Sequence, residues 1–325
     1  MMNSLASIWA KGRRHVAAVV LWSLTTAFVG YIFVGGGYLT TVLEFAFIYV
    51  VFVTGLNIFM GFTGQVSFGH NAFAAIGGYT SAVLTATYGW EPLPAALVGL
   101  AGALTCALLI GYPVLRLRGH YLAMATLAIG LIAYEVAVEW QSVTQGYMGI
   151  SGIPPLGIGR WTIVSDRALL LTLMIFAGLA LFASSRIRRS RLGRALVGLA
   201  GSEDAARALG IDVARYKLIA FMISAGFAAI AGSLFVHAVG FVSPEVYGLQ
   251  MVVVSFTMLY VGGISTISGP LFGAIIVSML PETFRAFKDY QDLAYGAALI
   301  LILIYAPGGL ASLPGLWTKW RRRGA

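Results

Sequence analysis

The sequence predicts an all-α integral membrane protein with about ten transmembrane helices. Hydrophobic residues make up 59% of the 325 residues and charged residues only 10%, whereas a soluble domain carries about 25% charged residues. Apolar stretches of about 20 residues, long enough to cross the hydrocarbon core as a helix, recur along the chain. Because no strongly polar domain precedes or follows them, we predict a single transmembrane domain over residues 1–325.

Ten apolar spans of helix length follow one another along the chain. Lys11, Arg13 and Arg14 precede the first span, as they would in a signal peptide. This span is longer than the usual apolar core of a signal peptide and ends without a clear cleavage site, so we predict an uncleaved helix. The predicted spans are 16–36, 38–60, 66–88, 93–114, 120–140, 167–184, 217–240, 248–267, 269–287 and 291–310.

The basic residues are distributed unevenly between the two sides of these spans. If the N-terminus is inside the cell and the chain crosses ten times, 17 of the 21 lysines and arginines face the cytoplasm. Membrane proteins keep their basic residues on the cytoplasmic side, so both termini are predicted to be cytoplasmic. This distribution also accounts for the basic character of the chain through membrane orientation, without a nucleic-acid partner.

A polar island, residues 186–217, separates two groups of apolar spans. It holds eight of the 21 basic residues and three of the 12 acidic residues. Each charge would cost several kcal/mol at the bilayer centre, so the island is predicted to lie outside the membrane, on the cytoplasmic side. One alternative is a basic loop that lies on anionic lipid headgroups.

Two short helices are predicted inside the polar island. The first covers about residues 191–199 and ends at Gly201, while Ser202 caps a second helix that stops at Gly210. Together they form what we call the knob, residues 191–210. Its predicted apolar positions are Ala195, Leu196, Leu199, Ala205 and Leu209.

The residue patterns of enzymes are missing from the sequence. None of the four lysines precedes Ser or Thr, which excludes a Walker A loop. The four histidines show neither the HExxH spacing nor the close pairing of a metal site, and the single Cys106 excludes an internal disulfide. We therefore expect no enzymatic activity and no cofactor in this chain.

Several motifs in the same order resemble one transporter family. Gly193-Arg194-Ala195-Leu196 and the EDAARA run at 203–208 are similar to the cytoplasmic coupling segment of ABC-type importer permeases. The runs GFTGQVSFGH at 61–70, LRLRGHYLAMATL at 115–127 and GGISTISGP at 262–270 resemble the branched-chain amino acid (hydrophobic amino acid uptake) family, M-type membrane subunit. The resemblance extends from about residue 40 to 310.

The resemblance implies a fold, a location and partners. The fold is an inverted-repeat permease in the bacterial plasma (inner) membrane. The partners are a second homologous permease subunit, two cytoplasmic ATPases that carry the ATP and Mg, an extracytoplasmic substrate-binding protein and membrane lipid. The cargo would be branched-chain or hydrophobic amino acids, or a related solute such as urea, an amide or an aromatic carboxylate, because Tyr147-Met148 departs from the family pattern.

The resemblance also implies which residues couple the chain to the ATPases. Ala205 and Ala206 would enter a groove on an ATPase, with Glu203 and Arg207 pairing at its rim. The coupling residues predicted in this way are Gly193, Arg194, Leu196, Glu203, Ala205, Ala206, Arg207 and Gly210.

A translocation path is predicted from polar residues near glycines and inside the spans. The three glycines in residues 61–70 permit a broken helix that lines a cavity, although a short cytoplasmic turn is equally compatible. Carboxylates inside spans are functional candidates, and two occur in the outer parts of their helices. The candidates for the path are Gln65, Ser67, His70, Asn71, Thr126, Glu44 and Glu135.

Two further patterns bear on the architecture. Small residues at every fourth position predict a helix-packing face at Ala95, Gly99, Ala103, Ala107 and Gly111. The Gly-Phe pair of residues 61–63 recurs at 240–242, on the opposite membrane face in the predicted topology, which suggests an inverted repeat. Inverted repeats are also common in ion-coupled secondary transporters, so a secondary transporter of small organic solutes is the alternative function.

Overall fold

The computed structural model describes residues 37–158, 161–283, 296–297 and 300. Most of these residues are helical, and we number the helices in chain order. They are α1 (Tyr38–Leu56), α2 (His70–Ala86), α3 (Pro92–Val114), α4 (His120–Glu139), α5 (Gln141–Thr144), α6 (Asp166–Arg189), α7 (Arg191–Gly201), α8 (Glu203–Ala208), α9 (Val213–Val239), α10 (Leu249–Gly262) and α11 (Gly269–Thr283). The predicted span 16–36 and nearly all of span 291–310 lie outside the described residues.

Six helical stretches in this part of the chain are long and apolar enough to cross a membrane. Each coincides with a predicted span, and α2 and α11 occupy the predicted spans 66–88 and 269–287 as shorter helices. The chain is therefore a multi-pass helical membrane protein, while the total of ten crossings and the side of the termini stay predictions. The six stretches are Leu39–Gly61, Pro92–Val114, His120–Glu139, Asp166–Arg189, Val213–Val239 and Pro244–Gly262.

Both edges of the polar island belong to membrane helices, which corrects the predicted ends at 184 and 217. α6 continues to Arg189, and α9 already begins at Val213. Asp212 provides the start signal for α9, because its carboxylate accepts a hydrogen bond from the backbone N–H of Arg215 at 3.1 Å. Such a cap satisfies one of the free N–H groups of the first turn.

The loops fall into two groups at opposite ends of the helices. At one end, Arg118 and Gln65 both contact Glu203 of the knob, and Arg188 donates to the backbone oxygen of Ser265. At the other end, Ile150 pairs with Val242 as neighbouring strands. The loops after α1, α3 and α10 therefore share the end of the molecule that carries the knob, as the alternation of predicted crossings requires.

Helices α2 and α9 form the centre of the bundle and cross at close range. α9 also packs against α1 and α3, and α1 packs against α6 and α11. At the crossing of α2 and α9, a Cβ atom on Gly232 would lie 2.0 Å from the backbone oxygen of Ala74, so the two backbones touch. The predicted packing face of α3 is confirmed, because its small residues at 95, 99, 103, 107 and 111 are buried.

The end of α1 is a π-helical turn, Asn57–Gly61, that binds a distant loop. The Asn57 amide donates to the backbone oxygen of Thr266 at 2.7 Å, and its oxygen accepts from the N–H of Ser265 at 2.8 Å. Arg188 contacts both parts, because it donates to the backbone oxygen of Ser265 in this loop and its guanidinium lies 4.9 Å from the ring centre of Phe62 at the end of α1. The end of α1 and the loop between α10 and α11 are thus joined into one unit.

Short antiparallel strands at the end opposite the knob were not predicted. Ile150–Ser151 (β1) pairs with Phe241–Val242 (β4), and Gly157–Ile158 (β2) pairs with Trp161–Thr162 (β3). These pairs satisfy backbone groups of the long loop between α5 and α6.

Candidate functional site

The knob consists of α7 and α8, as predicted. Ser190 caps α7 by accepting from the N–H of Gly193, and Ser202 caps α8 by accepting from the N–H of Ala205, each at 3.2 Å. Gly210 follows α8 with a left-handed φ of 81°, which a glycine adopts at little cost. Two serine caps and one glycine stop therefore define the shape of the knob.

One side of the knob is buried against the rest of the chain. Gly193, Leu196 and Leu199 are buried, and Ala206 is only 3% exposed. In this structure Ala206 packs against its own chain, and its entry into a groove on an ATPase stays a prediction. The small size of Ala206 lets α8 approach its own chain.

Ala205 and Leu209, two of the predicted apolar positions of the knob, are both exposed, as a contact of Ala205 with another protein requires. Leu209 is 82% exposed, and Arg207 forms a surface ion pair with Asp204 at 3.4 Å. Arg194 is also exposed and donates to the backbone oxygen of Arg189. The outward surface of the knob thus presents an apolar centre with basic side chains around it.

Glu203 connects the knob to three other parts of the chain. Its carboxylate forms an ion pair with Lys217, whose side chain is 2% exposed, and the Glu203 side chain itself is 17% exposed. Gln65 donates to the same carboxylate at 3.0 Å, and Arg118 lies 3.8 Å from its other oxygen. All of these partners belong to this chain, so Glu203 fixes the knob to the bundle, and its position at the rim of a groove on an ATPase stays a prediction.

Residues 64–69 form a break in the helical structure that enters the bundle. The N–H of Phe68 donates to the hydroxyl of Thr126 at 3.1 Å, and a Cβ atom on Gly69 would lie 2.2 Å from the backbone oxygen of Thr126. Thr126 is six residues along α4, so the contact lies about 9 Å from the start of that helix. This depth favours a broken helix over a short surface turn.

Ser67 lies within this break, His70 and Asn71 begin α2 directly after it, and all three are buried. Ser67 Oγ lies 3.0 Å from His70 Nδ1, and the Asn71 amide donates to the backbone oxygen of Tyr247 at 2.8 Å. In the described part of the chain, His70 Nε2 and Asn71 Oδ1 are buried without a hydrogen-bond partner. A buried polar group without a partner costs about 1–3 kcal/mol, so these two atoms are candidates for contact with a solute or water.

The remaining path candidates are not brought together with these residues. Glu44 lies in the half of α1 away from the knob, and among the described residues its buried Oε1 atom has no hydrogen-bond partner. Glu135 is exposed near the far end of α4. Thr126 supports the break, and Gln65 binds the knob. Only Ser67, His70 and Asn71 form a compact polar group.

Three important side chains were not proposed as site residues from the sequence. Lys217 was counted among the charges of the polar island, and a lysine next to a long apolar span is a signal that it needs a buried partner. The side chains of Asn57 and Phe68 contact residues about 200 positions away, which no local pattern reveals.

Comparisons with known proteins agree with the helical and polar features described above. A family profile described as branched-chain amino acid transport system, permease component, matches residues 38–306. No solved structure shows a significant match to the chain.

Curated relatives carry the same description. The chain is 36% identical over 289 residues to the high-affinity branched-chain amino acid transport system permease protein LivM of Salmonella typhimurium and to that of Escherichia coli K12, with 81% of this chain and 67% of each relative covered. It is 28% identical over 287 residues to the permease protein LivH of Escherichia coli K12, with 82% and 92% covered. The chain therefore belongs to the family of branched-chain amino acid transport system permease components.

Proposed function

We propose that this chain is the M-type permease subunit of a binding-protein-dependent ABC importer in the bacterial inner membrane. Its cargo would be branched-chain or other hydrophobic amino acids. The observation that carries the proposal is the capped knob, which stands outside the bundle and is bound to it through Glu203. The knob would bind the two ATPases, which bind and hydrolyse ATP with Mg. A second permease and an external binding protein would complete the importer.

The second permease is supported by the relatives. Two differently named permease proteins, LivM and LivH, carry the same description of a high-affinity branched-chain amino acid system in Escherichia coli K12. The chain is more similar to LivM. We infer that it assembles with a non-identical permease of the LivH type.

An inverted repeat and ten crossings with both termini in the cytoplasm are part of this proposal. Residues 61–69 and 240–248 both begin with Gly-Phe and both end with an aromatic residue before glycine. Each precedes a helix start, at His70 and at Leu249, and the two segments enter from opposite ends of the bundle. The amide of Asn71 joins them by donating to the backbone oxygen of Tyr247.

The topology predicts where single cysteines react with an impermeant thiol reagent. After Cys106 is replaced by alanine, Ser202→Cys and Thr318→Cys should react only from the cytoplasmic side of vesicles. Ser151→Cys, in the strand β1, should react only from the other side. Labelling of Ser202→Cys and Thr318→Cys from opposite sides would contradict an even number of crossings between them.

The proposed function predicts that ATPase subunits are purified with the chain. When the tagged chain is extracted from its own membranes in mild detergent, mass spectrometry should find two further protein types, an ATPase and a second permease. The variant Ala205→Trp should lose the ATPase but keep the second permease. Ala205 is exposed on α8, so the larger ring blocks the contact without disturbing the interior of the bundle.

Val164→Trp provides the matched control for this experiment. Val164 is also highly exposed but lies in the loop at the opposite end of the bundle, so the ATPase should be retained. Loss of the ATPase in both variants, or in neither, would be evidence against the knob as the ATPase contact.

The alternative function is an ion-coupled secondary transporter. The buried carboxylate of Glu44 supports it, because carboxylates inside membrane spans are typical of ion and proton pathways. The two functions differ in their energy source. The chain alone in liposomes should not accumulate leucine when an ion gradient is imposed. The complete complex should accumulate leucine when ATP is present on the side of the membrane that carries the ATPases. Ion-driven uptake by the chain alone would favour the alternative.

A further inference from the structure

Two cavities lie on either side of a pair of stacked aromatic rings. The larger is a cleft of about 490 Å³ beside α10 that is lined mainly by apolar side chains, including Leu127, Leu249 and Val253. The smaller, of about 10 Å³, is lined in part by Ser67, His70, Asn71 and Ser255. The larger volume lies in the range of small-molecule sites, about 300–1,000 Å³.

Phe68 and Phe256 form the wall between the two cavities. Both residues line both cavities, and their rings stack with centroids 4.7 Å apart at 29°. Tyr260 continues the stack, with its ring 5.1 Å from that of Phe256. The wall therefore consists of flat rings that separate by side-chain rotation.

The smaller cavity contains polar atoms without partners. His70 Nε2 and Asn71 Oδ1 are both buried and unpaired within the described residues, and both residues line this cavity. When Ser67 donates to His70 Nδ1, the Nε2 atom carries the proton and becomes a donor. His70 Nε2 then offers a donor and Asn71 Oδ1 an acceptor, and neither atom has a partner among the described residues.

We propose that separation of Phe68 and Phe256 joins the two cavities into one binding site for an α-amino acid with an apolar side chain. Asn71 Oδ1 accepts from the ammonium group, and His70 Nε2 donates to the carboxylate. Leu127, Val252 and Val253 surround the side chain of the solute. This inference rests on the proposed function and names the part of the chain that its cargo occupies.

The knob is connected to this wall. Gln65, which binds Glu203 of the knob, stands three residues before Phe68 in the same non-helical segment. A backbone that has left the helix moves without breaking a ladder of helical hydrogen bonds. Movement of the knob is therefore transmitted along residues 65–68 to the ring of Phe68, and the site opens in step with the ATPases.

A cysteine at position 255 tests the proposal. Ser255 is 2% exposed, so Ser255→Cys, made after Cys106→Ala, should resist a small polar thiol reagent in the resting complex. During ATP turnover with the binding protein present, the labelling rate should rise several-fold. Leucine, if transported by the complex, should reverse most of this increase by occupying the site.

Ser224→Cys is the matched control. Ser224 is 0% exposed and lies in α9 away from both cavities, so its cysteine should stay unlabelled in every state. Equal labelling of the two cysteines would indicate general loosening of the bundle and would overturn the proposal. Val252→Cys, on the wall of both cavities, serves as a second reporter if Ser255→Cys impairs assembly.

The failure of this site is distinguishable from failure of the proposed function. A complex that contains the ATPases and transports leucine, but leaves both reporter cysteines unlabelled during turnover, rejects the site alone. A chain that is purified without an ATPase rejects the function first. If the cysteines are labelled during turnover and transported leucine does not slow this labelling, the amino acid site is also rejected. Such a result would show that the site opens but that leucine does not occupy it.

Discussion

Replacing Glu203 by alanine is expected to lower the free energy of unfolding by about 3–5 kcal/mol, the cost of removing one partner of a buried ion pair. Lys217 is 2% exposed and pairs with Glu203, so the substitution leaves a buried ammonium group without its carboxylate. The thermal midpoint of the purified chain in mild detergent, measured by loss of the monodisperse peak, should fall accordingly.

The neighbouring carboxylate is the control. Asp204 is 79% exposed and makes only surface pairs, with Arg118 at 3.9 Å and Arg207 at 3.4 Å. Exposed pairs contribute about 0–1 kcal/mol, so Asp204→Ala should leave the midpoint almost unchanged. If the two alanine variants have the same midpoint, Glu203 does not neutralise a buried charge.

A double variant separates the stability of the pair from its role in coupling. Adding Lys217→Met to Glu203→Ala removes the unpaired charge and should recover most of the lost stability, because an apolar side chain of similar length replaces the lysine. Transport should stay low in the double variant, since the carboxylate that binds Gln65 to the knob is still missing. Recovery of both stability and transport would mean that the pair is needed only for folding.

The helices and the caps of the knob were predictable because they depend on local patterns. Apolar length determined the positions of α1, α3 and α4, and the small-residue stripe of α3 indicated its buried face. Ser202 and Gly210 act within a few residues of their own position, so their roles are visible in the sequence.

The polar contacts were not predictable because their partners are far apart in the sequence. Glu203 was expected to face another protein, since nothing near it in the sequence shows that Lys217 and Gln65 meet it. Ala206 was expected outside, although its side of a two-turn helix is decided by how the knob rests on the bundle. For residues 61–70 the sequence allowed both a turn and a broken helix, and only the contact with Thr126 distinguishes them.

Gly232→Ala is expected to destabilise the bundle by about 3 kcal/mol, at the upper end of the cost of overpacking a core. The added Cβ would lie 2.0 Å from the backbone oxygen of Ala74, and a backbone atom within the helix α2 cannot rotate away as a side chain does. α2 and α9 must then separate, which also lengthens the bond from Ser233 Oγ to the backbone oxygen of Gly77, 3.0 Å in the native packing. The thermal midpoint in detergent should fall and the yield of folded protein should decrease.

The same substitution two turns earlier in α9 isolates the cause. A Cβ on Gly226 would meet only the side-chain ends of Leu100 and Leu104, each at 3.5 Å, which is ordinary contact. Because alanine is favoured over glycine in a helix by about 0.5–1 kcal/mol, Gly226→Ala should be neutral or slightly stabilising. A similar loss in both variants would show that α9 does not tolerate alanine for a reason other than its contact with α2. If Gly232→Ala is harmless, the two helices do not cross as closely as the backbone contact requires.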